Sequence, residues 1–325
     1  MYEYMIVKAF WKAIKIEDAQ PPYDTIHLKV FYPASTSDSQ QTLSSPANQA
    51  NTLPVVIFFS GINCNLAMYE WLALKLVPQG LVVILYNWLA ENIPGNISLT
   101  PGVNLAAFSP DVYGTISTAS ALPALLAELD SLNTSGILTG LLDLQKIILG
   151  GHSAGGRVAL ENANPQFCSQ VVAAFSYGGH TAAPIQLGYE PGTILSLSNS
   201  VPMLLMGGTN DGVIANNSKI YGIDEWSTPT TPIVRTFREA ISREQNDSYL
   251  VLLQEANHFS IAERIDPTLN VTSLDFPSPQ PQAKIRSTIA EVVNLFIDLH
   301  VRQPSKTSQQ LELVENTAIA FFECK

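Results

Sequence analysis

The sequence predicts an α/β fold: a mostly parallel central sheet with an N-terminal antiparallel hairpin and helices on both faces. Two patterns carry this expectation. From Leu53 onward, short continuous runs of Val, Ile, Leu and Phe, such as LPVVIFF and LVVIL, alternate with segments of helical period. Strands covered on both faces read this way, because neither face has to be polar. Upstream, Met5 to Phe10 and Thr25 to Tyr32 alternate apolar and polar residues, as half-buried strands do, and Pro33 closes the second.

In chain order, strands are expected at 54–59, 81–86, 145–149, 171–176, 202–206 and 248–253. Helices are expected at 66–79, 115–132, 155–163, 232–244 and 283–301. Thr231 followed by Pro232 suits a helix start, since proline's missing N–H costs nothing in the first turn. Residues 35–52, STSDSQQTLSSPANQANT, are almost devoid of apolar side chains and read as a solvated loop. Three long connections, 88–112, 178–199 and 212–229, carry many large apolar side chains, among them Trp88, Leu105, Phe108, Ile214, Ile220, Tyr221 and Trp226. These must be buried, in pocket walls or in core. Residues 302–325 begin polar and end AIAFFEC, which reads as an appended C-terminal helix. The expectation is a single domain over 1–325, with 178–229 supplying pocket-covering insertions.

Composition narrows the function. Seventeen Lys and Arg against 28 Asp and Glu give a formal charge of −11, with no basic cluster, so no nucleic-acid partner is expected. Hydrophobic residues make up 46% and charged residues 14%, which points to a large core. The apolar runs fall far short of the ~20 residues that span a bilayer, so no membrane span is expected. The first twenty residues contain Glu3 and Trp11 and lack the features of a signal peptide, so the expected location is cytoplasmic. Cys64, Cys168 and Cys324 are widely spaced and form no CxxC, which suits reduced thiols and neither a disulfide framework nor a zinc site.

The stretch that carries chemistry is Gly151-His152-Ser153-Ala154-Gly155, a G-x-S-x-G pattern between an expected strand and an expected helix. Lifting a serine hydroxyl clear of the backbone needs a sharp turn, and only small residues two before and two after it let strand and helix cross so closely. Gly151 and Gly155 supply that room. The hydroxyl also needs a base to take its proton. His258, in QEANHFS after the strand 248–253, lies at the carboxyl edge of the sheet, where sites of open α/β folds gather. His180, in SYGGHT, lies on the same edge and is the rival. Asp211, in MLLMGGTNDGV, stands between Ser153 and His258 in sequence and is the candidate to orient the imidazole, with an ordinary turn aspartate as the alternative. An oxyanion would be met by the Ala154 N–H and by a donor on the Ser60-Gly61-Ile62-Asn63 loop, Ile62 ahead of Gly61.

These residues resemble the α/β-hydrolase superfamily over nearly the whole of 25–300. The runs YPA at 32–34, LPVVIFFSG at 53–61, MYEWLALKLVPQGLVVI at 68–84 and GGHSAGG at 150–156 look most like the branch containing dienelactone hydrolases, plasma-type platelet-activating-factor acetylhydrolases, chlorophyllases and bacterial polyester hydrolases. The resemblance implies a serine carboxylic-ester hydrolase with no metal and no organic cofactor. It implies Ser153 as nucleophile, Asp211 as orienter, His258 as base, and Ile62 and Ala154 as oxyanion donors. The chain departs from the branch at Ala154, where chlorophyllases have Arg, at Ser60, where many relatives have His, and at Ser153, where dienelactone hydrolases have Cys. The substrate is therefore not inherited from any of these names; the apolar loops point to a small hydrophobic, uncharged ester. An acyltransferase on the same residues and a catalytically silent binding protein are the other readings of the sequence.

Overall fold

The structure, a computed structural model, describes residues 6–17, 19–34, 52–93, 95–198, 200–242, 245–302 and 318–325. The expected polar loop at 35–52 lies, but for Thr52, outside the described residues. The described strands are β1 (Ile6–Lys15), β2 (Thr25–Ala34), β3 (Leu53–Phe59), β4 (Val82–Ile93), β5 (Asn96–Leu99), β6 (Leu142–His152), β7 (Val171–Tyr177), β8 (Met203–Gly208), β9 (Tyr249–Leu253) and β10 (Ile319–Cys324). The helices are α1 (Glu70–Leu76), α2 (Leu122–Thr134), α3 (Ala154–Glu161), α4 (Gly212–Asn216), α5 (Thr231–Arg235) and α6 (Gln282–Ile297).

One sheet runs in the order β1-β2-β4-β3-β6-β7-β8-β9-β10, with β5 folded back on β4. β3, β4, β6, β7, β8 and β9 are parallel, whereas β1 and β2 form the expected antiparallel hairpin, with Ile14 opposite Ile26. The unbroken apolar runs follow from helices on both faces. Val55, Ile57 and Phe59 point into a core shared with α2 and α3, while Val56 and Phe58 point into a second core shared with α1 and α6. Each such side chain, fully buried, contributes about 1.5–3 kcal/mol of hydrophobic stabilisation.

Several expected boundaries move, for local reasons. The helix expected at 66–79 divides into a 3-10 turn at Leu66–Met68, α1, and a second 3-10 turn at Val77–Gln79, where Pro78 disrupts the ladder and left-handed Gly80 ends it. The helix expected from 115 starts only at Leu122, with Pro123 in its first turn. The loop expected at 88–112 is in part a β-hairpin, because β4 continues to Ile93 and returns as β5. The helix expected over the C-terminal residues is corrected: Ile319–Cys324 is strand β10, antiparallel to β9. Without it β9 would present an open row of backbone donors and acceptors. Phe322 packs on Tyr249, and the Arg238 guanidinium binds both carboxylate oxygens of Glu323. No helix among the described residues is long and apolar enough to cross a membrane.

Candidate functional site

Ser153 stands between the end of β6 and the first turn of α3, with φ 55° and ψ −124°. This is left-handed backbone that a residue with a Cβ adopts only under constraint. The constraint is the crossing of strand and helix. A Cβ on Gly151 would lie 2.3 Å from the Gly155 carbonyl oxygen, and one on Gly155 would lie 2.2 Å from that of Phe59. No side chain larger than hydrogen fits at either position, as the sequence pattern requires. The Ser153 N–H donates to the Tyr177 carbonyl (2.9 Å), which pins the turn to the neighbouring strand.

Asp211 and His258 come together as a hydrogen-bonded pair. Asp211 follows β8 and caps α4, accepting the Ile214 N–H at Oδ1 (2.8 Å). Its Oδ2 lies 2.7 Å from His258 Nδ1, and both side chains are buried. Burial alone would depress the His258 pKa, but the charge and hydrogen bond of Asp211, with Asp275 behind, outweigh it and hold it above the ordinary histidine value. With its Nδ1 proton directed at the carboxylate, the neutral ring keeps Nε2 as an acceptor. His258 and Ser153 line one cavity of about 490 Å³.

Two groups that the sequence did not single out hold this arrangement. The first is His152, the variable residue of the pattern. It is fully buried, and its pKa is driven well down by burial and by the charge of His258. Nε2 therefore carries the proton and donates to the His258 carbonyl (3.0 Å), which leaves Nδ1 to accept the Tyr69 hydroxyl (2.8 Å). Tyr69 Oη in turn accepts the Gly61 N–H (3.3 Å). A continuous buried chain thus joins the loop after β3 to the main chain of His258. The Gly61 N–H is thereby committed to Tyr69, whereas Ile62 and Ala154 line the cavity outside that run of hydrogen bonds. The second is Asp275, whose carboxylate accepts the N–H groups of Gly212 (2.9 Å), His258 (3.2 Å), Phe259 (3.2 Å) and Phe276 (3.0 Å). It ties the segment bearing Asp211 to the segment bearing His258.

The remaining candidates separate cleanly. His180 lines the same cavity but is distinct from the Asp211 pair; its Nδ1 accepts the Ala182 N–H (3.3 Å), and burial, with Arg157 and His258, pushes its pKa down to about 3. His27 is exposed on β2, and His300 packs against Tyr249 and Phe296. Cys64 also lines the cavity, but burial pushes its thiol up to about 11, so it stays protonated and weakly nucleophilic. Of the apolar loop residues, Leu105, Phe108, Ile214, Ile220 and Tyr221 line the cavity, whereas Trp88 and Trp226 are buried in the core on the α2 face of the sheet. Among the described residues no group of three or more His, Cys, Asp or Glu is placed to hold a metal ion.

No family model and no curated protein matches the sequence. Among solved structures, the chain is similar to a ferulic acid esterase from Streptomyces cinnamoneus, with a TM-score of 0.59 and 15% identity, covering 98% of this chain and 96% of that one. The shared architecture is the α/β-hydrolase fold: a mostly parallel sheet with helices on both faces.

Proposed function

We propose that the protein is a serine carboxylic-ester hydrolase acting on a small hydrophobic ester through an acyl-enzyme. The observation that carries the reading is the buried Asp211–His258 pair, 2.7 Å apart, whose His258 lines the cavity that strained Ser153 also lines. In this reading His258 Nε2 takes the Ser153 hydroxyl proton as Oγ bonds to the ester carbonyl carbon. The resulting oxyanion is met by the Ile62 and Ala154 N–H groups. The carbonyl re-forms as the C–O bond to the alcohol breaks, and His258 hands the proton to the departing oxygen. Water then enters, gives a proton to His258, and its oxygen bonds to the acyl carbon; the returning proton restores Ser153 and releases the acid. No step calls for a metal or an organic cofactor, and the chain is read as one catalytic domain.

The neighbour's name, an esterase of ferulic acid, and the sequence resemblance to the dienelactone hydrolase and acetylhydrolase branch support ester chemistry in general terms. The cavity's walls of Leu105, Phe108, Ile214 and Ile220 support a hydrophobic substrate. The test is a fluorophosphonate probe together with a p-nitrophenyl ester panel, run on the parent chain and on Ser153→Ala. Labelling and turnover that both vanish in Ser153→Ala are expected. Labelling without turnover would favour acyl transfer, and an unlabelled parent chain would refute the reading.

A further inference from the structure

One end of the cavity is not apolar. Arg157 lies one helical turn beyond Ser153 on α3, its N–H donating to the Ser153 carbonyl (3.0 Å), and its side chain lines the same cavity. The guanidinium is held on three sides. Nε donates to Glu161 (2.8 Å), Nη1 donates to the Ala182 carbonyl (2.9 Å), and the Phe108 ring faces it at 4.6 Å. Nη2 is buried and, among the described residues, has no hydrogen-bond partner. A guanidinium is a rigid fork of five N–H donors, so an arm left empty when the others are fixed leaves a directed vacancy for an acceptor. Buried donors without partners are uncommon in folded proteins, because each forfeits the hydrogen bonds it made with water.

His180 stands at the same end, its ring against Tyr221 at 5.1 Å. Since its Nδ1 accepts the Ala182 N–H, the neutral ring carries its proton on Nε2 and is a second donor. Both residues line the cavity, and the carboxylate that balances Arg157 is engaged at Oε1 through Nε, while its Oε2 is buried without a partner among the described residues. Charge is therefore close to balanced at this end, which favours a neutral oxygen over an anion: a carboxylate would add unbalanced negative charge beside buried Glu161.

Resting on the ester-hydrolase reading, we infer that Arg157 and His180 form a specificity subsite that takes a neutral oxygen acceptor, an ether, phenol or ketone oxygen, carried by the substrate several bonds from its ester group. The substrate is then hydrophobic over most of its length and oxygenated at one end.

The test compares isosteric esters on the parent chain: p-nitrophenyl 4-methoxybutanoate against hexanoate, 5-methoxypentanoate against heptanoate, and the hydrogen glutarate ester as the anion. A second series, the acetates of 2-methoxyethanol and butanol, places the oxygen in the alcohol half. At least one oxygenated member is expected to exceed its methylene partner in kcat/KM by roughly tenfold or more, the range of a hydrogen bond to a charged donor. In Arg157→Lys, which keeps a cation for Glu161 but lacks the second Nη, that ratio is expected to fall toward one. Arg157→Met with Glu161→Met removes the pair together, so that no buried charge is left alone, and is expected to do the same; thermal melting checks that both variants fold. Equal kcat/KM within every pair, preference for the glutarate, or a ratio unchanged in both variants would overturn the subsite while leaving ester hydrolysis standing. Failure of the parent chain to hydrolyse any ester or to take up fluorophosphonate would overturn the reading on which the subsite rests.

Discussion

The turn at Ser153 makes a prediction about stability that is independent of substrate. Its φ of 55° and ψ of −124° place a side-chain-bearing residue where such residues pay a steric penalty, on the order of 1–3 kcal/mol. Glycine escapes that penalty but loses more conformational entropy on folding, roughly 0.5–1 kcal/mol. Ser153→Gly should therefore be more stable than Ser153→Ala by about 1 kcal/mol, because alanine keeps the Cβ and its strain. The Ser153 N–H bond to the Tyr177 carbonyl is preserved in both, so the comparison isolates the dihedral. For a chain of 325 residues the difference corresponds to roughly 1–2 °C in melting temperature. Differential scanning calorimetry of the two variants measures it. Equal melting temperatures, or an alanine variant that melts higher, would refute the claim that the strand-to-helix crossing imposes strain on this residue.

Two further outcomes follow from the site. In Asp211→Asn the amide oxygen can still cap α4 at the Ile214 N–H, but the NH2 then donates to His258 Nδ1 and moves the imidazole proton to Nε2; kcat is expected to fall on the order of 10^3–10^4-fold. On the proposed mechanism the parent chain requires neutral His258, whose pKa lies above the ordinary value, so the acid limb of kcat/KM should fall above pH 6.5 and move to lower pH in the variant, which keeps the burial and loses the carboxylate. The linked stability has the opposite sense: the raised pKa of His258 adds stability below the unfolded value and loses it as pH rises through the folded one. A limb at the same pH in both proteins would contradict the assignment. Tyr69→Phe strands a buried donor, the Gly61 N–H, and a buried acceptor, His152 Nδ1, at about 1–3 kcal/mol each. A melting temperature lowered by several degrees with kcat reduced more than KM is expected; no change in either would show that the chain from Gly61 to His258 is idle.

The parallel sheet was legible because its strands advertise burial on both faces, and that signal survives without knowledge of partners. Where a partner decides the structure, the reading weakened. AIAFFEC carries too short a pattern to distinguish helix from strand; what decides it is the open edge of β9, a feature of the folded sheet absent from the segment itself. The β4–β5 hairpin had a local signal, since Gly95 at φ 78° follows Pro94 in sequence, but strand period on either side was masked by large apolar side chains that suggested pocket walls.

The same distinction separates the parts of the site. Ser153, Asp211 and His258 each follow a strand end, and chemistry concentrates at one edge of such sheets, so residue type and topology sufficed to nominate them. His152, Tyr69 and Asp275 carry no such mark. His152 meets Tyr69 across 83 positions of sequence and the His258 carbonyl across 106, distances over which periodicity says nothing. Their effect on the site follows from how His258 is held. Asp211 fixes the ring, His152 holds its carbonyl, and Asp275 holds its N–H, so side chain and main chain are restrained by different groups. An imidazole restrained only through its ring would still swing with its loop; restrained at all three points, His258 is held where it lines the cavity. Because His152 is held neutral by burial, it supports the carbonyl without placing a second cation beside His258, which an exposed or protonated residue at that position would do.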